Sequence, residues 1–125
     1  ERITRLSSPF PGISESAHIA AGGVLHLSGA VGLDANGSHP ADFAEETDLV
    51  FRALAAALER GGAGFGDVAK VTVFIVGLDP ERLAIYRRVR DRWIDAARPP
   101  ASSVVGIAAL YSPAARIEIE AVAAV

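Results

Sequence analysis

The 125-residue sequence has no cysteine and no methionine, a single lysine (Lys70) and a single tryptophan (Trp93). Without cysteine there is no disulfide framework, no thiolate nucleophile and no thiolate-ligated metal. The histidines, His18, His26 and His39, have no spacing that resembles a zinc site, so neither a metal nor a cofactor is expected. No apolar run approaches the roughly 18 residues that a membrane-spanning helix needs. The first 16 residues lack the apolar core of a secretion signal. Positive charge is scarce too: 12 Lys+Arg against 15 Asp+Glu gives a net charge of −3. Nucleic-acid binders usually carry a basic face. The expectation is a cytoplasmic protein with no membrane and no nucleic-acid partner.

What the chain has is apolar surface. Half of its residues are hydrophobic and the mean hydropathy is +0.31, high for a small soluble protein. One domain over residues 1–125 is expected at this length. With a membrane span excluded, a subunit interface is the best account of the excess.

Alternation and turn residues predict strands over residues 3–6, 17–21 and 24–28, the last two as a hairpin closed by Gly22-Gly23. Asp42 and Glu45 have capping-box spacing and open a helix with the stripe Phe43, Thr47, Val50, Leu54 and Leu58. Gly61-Gly62 ends it. Residues 68–76 (VAKVTVFIV) read as a buried strand. Asp79-Pro80 opens a second helix, striped by Tyr86, Val89, Trp93 and Ala97, and Arg98-Pro99-Pro100 stops it. Residues 102–110 and 116–125 supply the last strands. The order β-β-β-α-β-α-β-β makes an α+β fold, a mixed sheet with two helices on one face. Strand 68–76 is apolar on both sides, so the uncovered face needs a partner, and a second copy of the chain is the simplest.

The last strand is the most informative for chemistry. Glu118 and Glu120 share one of its faces, about 7 Å apart, opposite Ile117, Ile119 and Ala121. A partly buried carboxylate there is suited to acid–base work. Ser28-Gly29 closes the third strand, where a glycine lets a ligand approach the backbone. Ser102-Ser103 follow the proline pair; their hydroxyls suit ligand binding or backbone capping. The glycine-rich residues 61–66 follow a helix and precede a strand, the reverse of a phosphate loop. Arg87, Arg88, Arg90 and Arg92, interleaved with Asp91 and Asp95, read as a solvated helix face.

Four segments resemble the Rid family (YjgF-like, reactive-intermediate deaminase A): VLHLSG at 24–29, GFGDVAKVTVFIV at 64–76, Pro99-Pro100-Ala101 before a strand, and IEIEAVA at 117–123. The likeness runs in order along nearly the whole chain. It implies a chorismate-mutase-like (YjgF-like) α+β fold and a homotrimer whose sheets enclose a central barrel, with small-molecule clefts between subunits. It also implies hydrolysis of small imines or enamines to keto acids and ammonia without metal or cofactor. In that scheme Glu118 is the catalytic glutamate that places water, and Ser28 and Gly29 line the cleft.

Two positions depart from the family pattern. The carboxylate-binding Arg of the family falls on Ser102, and its N-terminal Tyr on Glu15. Ser103 and Trp93 complete the expected cleft. A serine offers one neutral hydrogen bond where a guanidinium offers a charged fork. The ligand expected from this is neutral or cationic, and not 2-iminopropanoate. Three readings stay open: an imine or enamine hydrolase, a non-catalytic ligand-binding or regulatory trimer, and an endoribonuclease.

Overall fold

A computed structural model describes residues 2–125. Strands β1 (Ile3–Ser7), β2 (Ser14–Ile19) and β3 (Val24–Val31) precede helix α1 (Phe43–Arg60). A 3-10 turn (Phe65–Asp67), β4 (Val68–Val76), α2 (Pro80–Trp93), β5 (Ala101–Ile107) and β6 (Ile117–Ala124) follow, in the expected order. All six strands form one mixed sheet, ordered β1-β2-β5-β4-β6-β3. Both helices start as anticipated. The Asp42 carboxylate accepts from the Glu45 N–H at 3.1 Å, and the Asp79 carboxylate from the Arg82 N–H at 2.7 Å.

The core lies between helices and sheet. Val50, Phe51, Leu54 and Leu58 of α1 pack with Val71, Val73 and Ile75 of β4 and with Ile117 and Ile119 of β6. All of these are essentially sealed from solvent. A charged group shares this layer: Glu46 is fully buried. Its Oε2 accepts from the Arg116 N–H at 2.9 Å, and its Oε1 from Arg116 Nε at 2.8 Å. The Arg116 guanidinium also donates to the Pro40 carbonyl. This pair fixes where β6 begins, and so the register that carries Glu118.

The expected hairpin of residues 17–28 does not form. β2 pairs with β1, antiparallel, and β3 pairs with β6 at the far edge of the sheet. β2 touches β5 only at Ser14–Ala101 and then leaves it, taking Ala17 and Ile19 across to Ala69 and Ala124. That crossing lets the four residues 20–23 reach β3. The corner is tied by the Arg2 side chain, which donates to the carbonyls of Ala20, Ala21, Gly23 and Val125. Gly22, at φ +142, packs on the same guanidinium. The Gly-Gly signal therefore marks a turn between strands that are not neighbours.

The sheet face away from the helices is also less apolar than expected. Register places Phe74, Val76, Val105 and Ile107 at one end of it. The other end carries His26, Lys70, Thr72, Ser103 and Glu120. There the Lys70 ammonium donates to the Ser103 hydroxyl at 3.0 Å. Among the described residues no helix is long and apolar enough to cross a membrane.

Candidate functional site

Alternation along β6 sends Ile117 and Ile119 into the core and Glu118 to the open face, level with Phe74 of β4 and Val31 of β3. Opposite, the β3 ladder shifts register between Leu27 and Ala30. That bulge brings Gly29 beneath the Glu118 side chain. A Cβ on Gly29 would come within 2.5 Å of both Cδ and Oε2 of Glu118. The carboxylate therefore rests directly on bare backbone, half-buried, at the margin of the apolar end of the sheet. Glu120, opposite Thr72, is exposed. The structure thus separates the two acids: Glu118 is held in a fixed place and Glu120 is solvated.

Ser102 lies on the other face. Its register partner is Val71, whose side chain points into the helix-covered core. Ser102 lines a cleft of about 350 Å³ between α2, the start of β5 and the loop at residues 10–13. Apolar walls come from Phe10, Ile13, Leu78, Leu83 and Val104. The polar lining is Ser102, Tyr86, Arg87 and Arg90.

Other expected cleft residues lie elsewhere. Ser103 faces the open side, engaged with Lys70. Glu15 is exposed, one residue beyond the Ser14–Ala101 pairing, and does not line the cleft. Trp93 is partly buried and packs against the core. Its ring stacks on Phe51 at 6.3 Å and tilts against Phe65, and its indole N–H donates to Asp48 at 2.9 Å. Burying so large a ring with its one donor satisfied explains that placement. So the chain brings Gly29 and Glu118 together, leaves Ser28 exposed beside Gly29 in the bulge, and keeps Ser102, Ser103, Glu15 and Trp93 apart from them.

The structure adds two residues that sequence reading passed over. Arg90 was expected on a solvated helix face, yet it is 8% exposed. Its guanidinium lies over the Tyr86 ring at 5.9 Å, and Nε and Nη2 both meet Asp91 Oδ1 at 3.0 Å. Gly12, at φ +80, packs against it so closely that a Cβ there would sit 2.4 Å from Nη2. The signal was spacing: position 90 falls four residues after Tyr86 and three before Trp93, on the inner stripe. Tyr86 is 1% exposed, and its hydroxyl has no hydrogen-bond partner. Burial pushes the phenol up to about 12, against the pull of the nearby Arg90 guanidinium and of the Ser102 hydroxyl, which is close by but short of hydrogen-bond geometry.

Among the described residues no three of His, Cys, Asp and Glu gather to hold a metal ion.

The profile of the endoribonuclease L-PSP family matches residues 11–125. The chain belongs to this family, the Rid (YjgF-like) family. Solved structures agree. The Rid-family protein YyfB of Yersinia pestis, of unknown function, is 30% identical over 99% of this chain and 98% of its own, with a TM-score of 0.87. A YjgF-family protein of Neisseria meningitidis is 26% identical, covering 98% and 93%, with a TM-score of 0.71. A YjgF/YER057c/UK114-family protein of Mycobacterium tuberculosis is 27% identical, covering 98% and 99%, with a TM-score of 0.69. No curated protein matches. In this Rid chain, then, the open face carries Glu118 on Gly29, and the helical face carries Ser102 in its own cleft.

Proposed function

We propose that this Rid protein hydrolyses a small imine or enamine-type intermediate in a cleft between subunits of a homotrimer. The observation that carries the reading is the Glu118 carboxylate seated on the Gly29 backbone. Water adds to the carbon of the protonated C=N bond while Glu118 takes the proton that the water loses. Glu118 then returns it to nitrogen and takes the hydroxyl proton as the C–N bond breaks, so a carbonyl compound and ammonia leave and that last proton passes to the ammonia as ammonium. No cofactor enters this balance.

The subunit arrangement has its own support. Glu118 and Ser102 occupy opposite faces of one sheet, so a single site using both needs two copies of the chain. The half-apolar open face, with Val105 42% exposed, is a surface such packing would cover. Since Ser102 removes a strand-borne guanidinium, turnover of 2-iminopropanoate needs another cation to hold its carboxylate.

The test is ammonia release from a panel of imines generated in situ, with Glu118→Gln as the control. Turnover of at least one imine, lost in Glu118→Gln with the trimer intact, is the expected result. Light scattering should give three times the 13.0 kDa chain mass. Equal rates in both proteins would remove Glu118 from the mechanism. Saturable ligand binding without turnover would favour the non-catalytic reading, which Ser102 supports. RNA cleavage that survives purification and disappears in Glu118→Gln would favour the endoribonuclease reading, against which the net charge of −3 stands.

A further inference from the structure

The Ser102 cleft contradicts the expectation of a neutral or cationic ligand. Its one nearly buried charged group is the Arg90 guanidinium. Asp91, its only acceptor among the described residues, occupies the Nε and Nη2 edge and is itself 64% exposed. Nη1 has no acceptor among the described residues. Arg87 adds a second positive charge to the lining, so the two guanidiniums outweigh Asp91. The guanidinium is nearly buried, and its open edge stays within reach of the cleft, where an anion would complete its hydrogen bonds.

A second, independent observation points the same way. The Tyr86 hydroxyl is buried with no partner, although buried hydroxyls are rarely left so. Ser102 is close to this hydroxyl and lines the same cleft. When a ligand oxygen accepts from Ser102, the serine hydroxyl hydrogen turns outward and its lone pairs turn to the Tyr86 O–H. That chain satisfies the orphaned donor and strengthens both hydrogen bonds.

We propose that helix α2 supplies the anion-binding group of this protein: Arg90, assisted by Arg87 and by the Tyr86–Ser102 hydroxyl pair, takes the carboxylate of a small ligand whose apolar part lies against Ile13, Leu83 and Val104. A carboxylate fits better than a larger polyanion. One open guanidinium edge matches one planar monoanion, and the rest of the wall is apolar. Gly12 makes the arrangement possible, because any side chain there would displace the guanidinium. This site does not depend on the imine chemistry proposed above, and its test does not use it.

The probes are hexanoate and its neutral isostere hexanamide, titrated against the full chain by NMR. Hexanoate should bind at least about tenfold more tightly than hexanamide. Arg90→Gln should abolish that preference while leaving hexanamide binding unchanged, a pattern that loss of packing alone would not give. Arg90→Lys, which keeps the charge and loses the fork, should fall between. Tyr86→Phe and Ser102→Ala should each weaken hexanoate about threefold with little effect on hexanamide. The titration reads binding with no turnover, so failed catalysis and failed anion binding are told apart. No saturable hexanoate binding, equal affinity for the two probes, or a folded Arg90→Gln that keeps the preference would each overturn the proposal. Should Arg90→Gln fail to fold, an unchanged preference in both Tyr86→Phe and Ser102→Ala overturns it.

Discussion

The carboxylate of Glu118 sits where a side chain on residue 29 would have to be: a methyl group on Gly29 would lie 2.5 Å from its Cδ. Gly29→Ala should therefore push Glu118 aside while leaving the core untouched, since residue 29 lies on the exposed side of β3. A displacement of about 1 Å at a reacting group costs on the order of a hundredfold in rate. The expected outcome is a drop of that size in imine turnover with an unchanged circular dichroism spectrum.

Glu46 and Arg116 form the pair that positions β6. Glu46→Ala removes the carboxylate from the guanidinium, which keeps only the Pro40 carbonyl, and strands the backbone N–H of Arg116, and should cost about 3 kcal/mol of stability in urea denaturation. Glu46→Gln retains an oxygen for the N–H and should cost less. Equal losses would mean that the hydrogen bond to the Arg116 backbone contributes little.

Tyr86 makes stability depend on alkaline pH. Its phenol is raised to about 12 in the folded chain, chiefly by burial, against about 10 unfolded. A raised pKa means stability is complete below pH about 10 and is lost as pH climbs toward about 12. Two units correspond to about 3 kcal/mol. Wild type should lose about 2 kcal/mol more than Tyr86→Phe between pH 9.5 and 12, the rest following above that, measured by chemical denaturation. Parallel curves for the two proteins would contradict the burial of the hydroxyl.

Trp93 tests the division between core and cleft. Trp93→Phe removes the hydrogen bond to Asp48 and some stacking on Phe51. It should cost about 1–2 kcal/mol of stability. Hexanoate affinity and imine turnover should not change. A loss of affinity at constant stability would return Trp93 to the site.

The elements were legible in sequence because each is locally consistent. Asp42 and Asp79 cap helices whose stripes face the core, and Ile117, Ile119 and Ala121 alternate with Glu118 and Glu120. The pairing of strands was only partly legible. Gly22-Gly23 carries the local chemistry of a hairpin, and what separates β2 from β3 is non-local, namely the crossing of Ala17 and Ile19 over Ala69 and Ala124. The same limit applies to the site. The glycine and the acid could each be picked out, but their contact depends on a bulge that no motif announces. Arg90 was misread because charge outweighed periodicity: four arginines in six residues suggest solvent, and only the Tyr86–Trp93 spacing shows that one of them turns inward.

The opposite placement of Arg90 and Glu118 on the sheet has a genetic consequence. If Arg90 and Glu118 serve one and the same ligand, Arg90→Gln and Glu118→Gln each disable a different half of that site. If each site takes one half from each of two neighbouring chains, randomly mixed assemblies of the two inactive proteins contain sites built from two intact halves. About one site in four should then work, so unfolding and refolding the two together should regain about a quarter of wild-type turnover. A site enclosed within one chain would regain none.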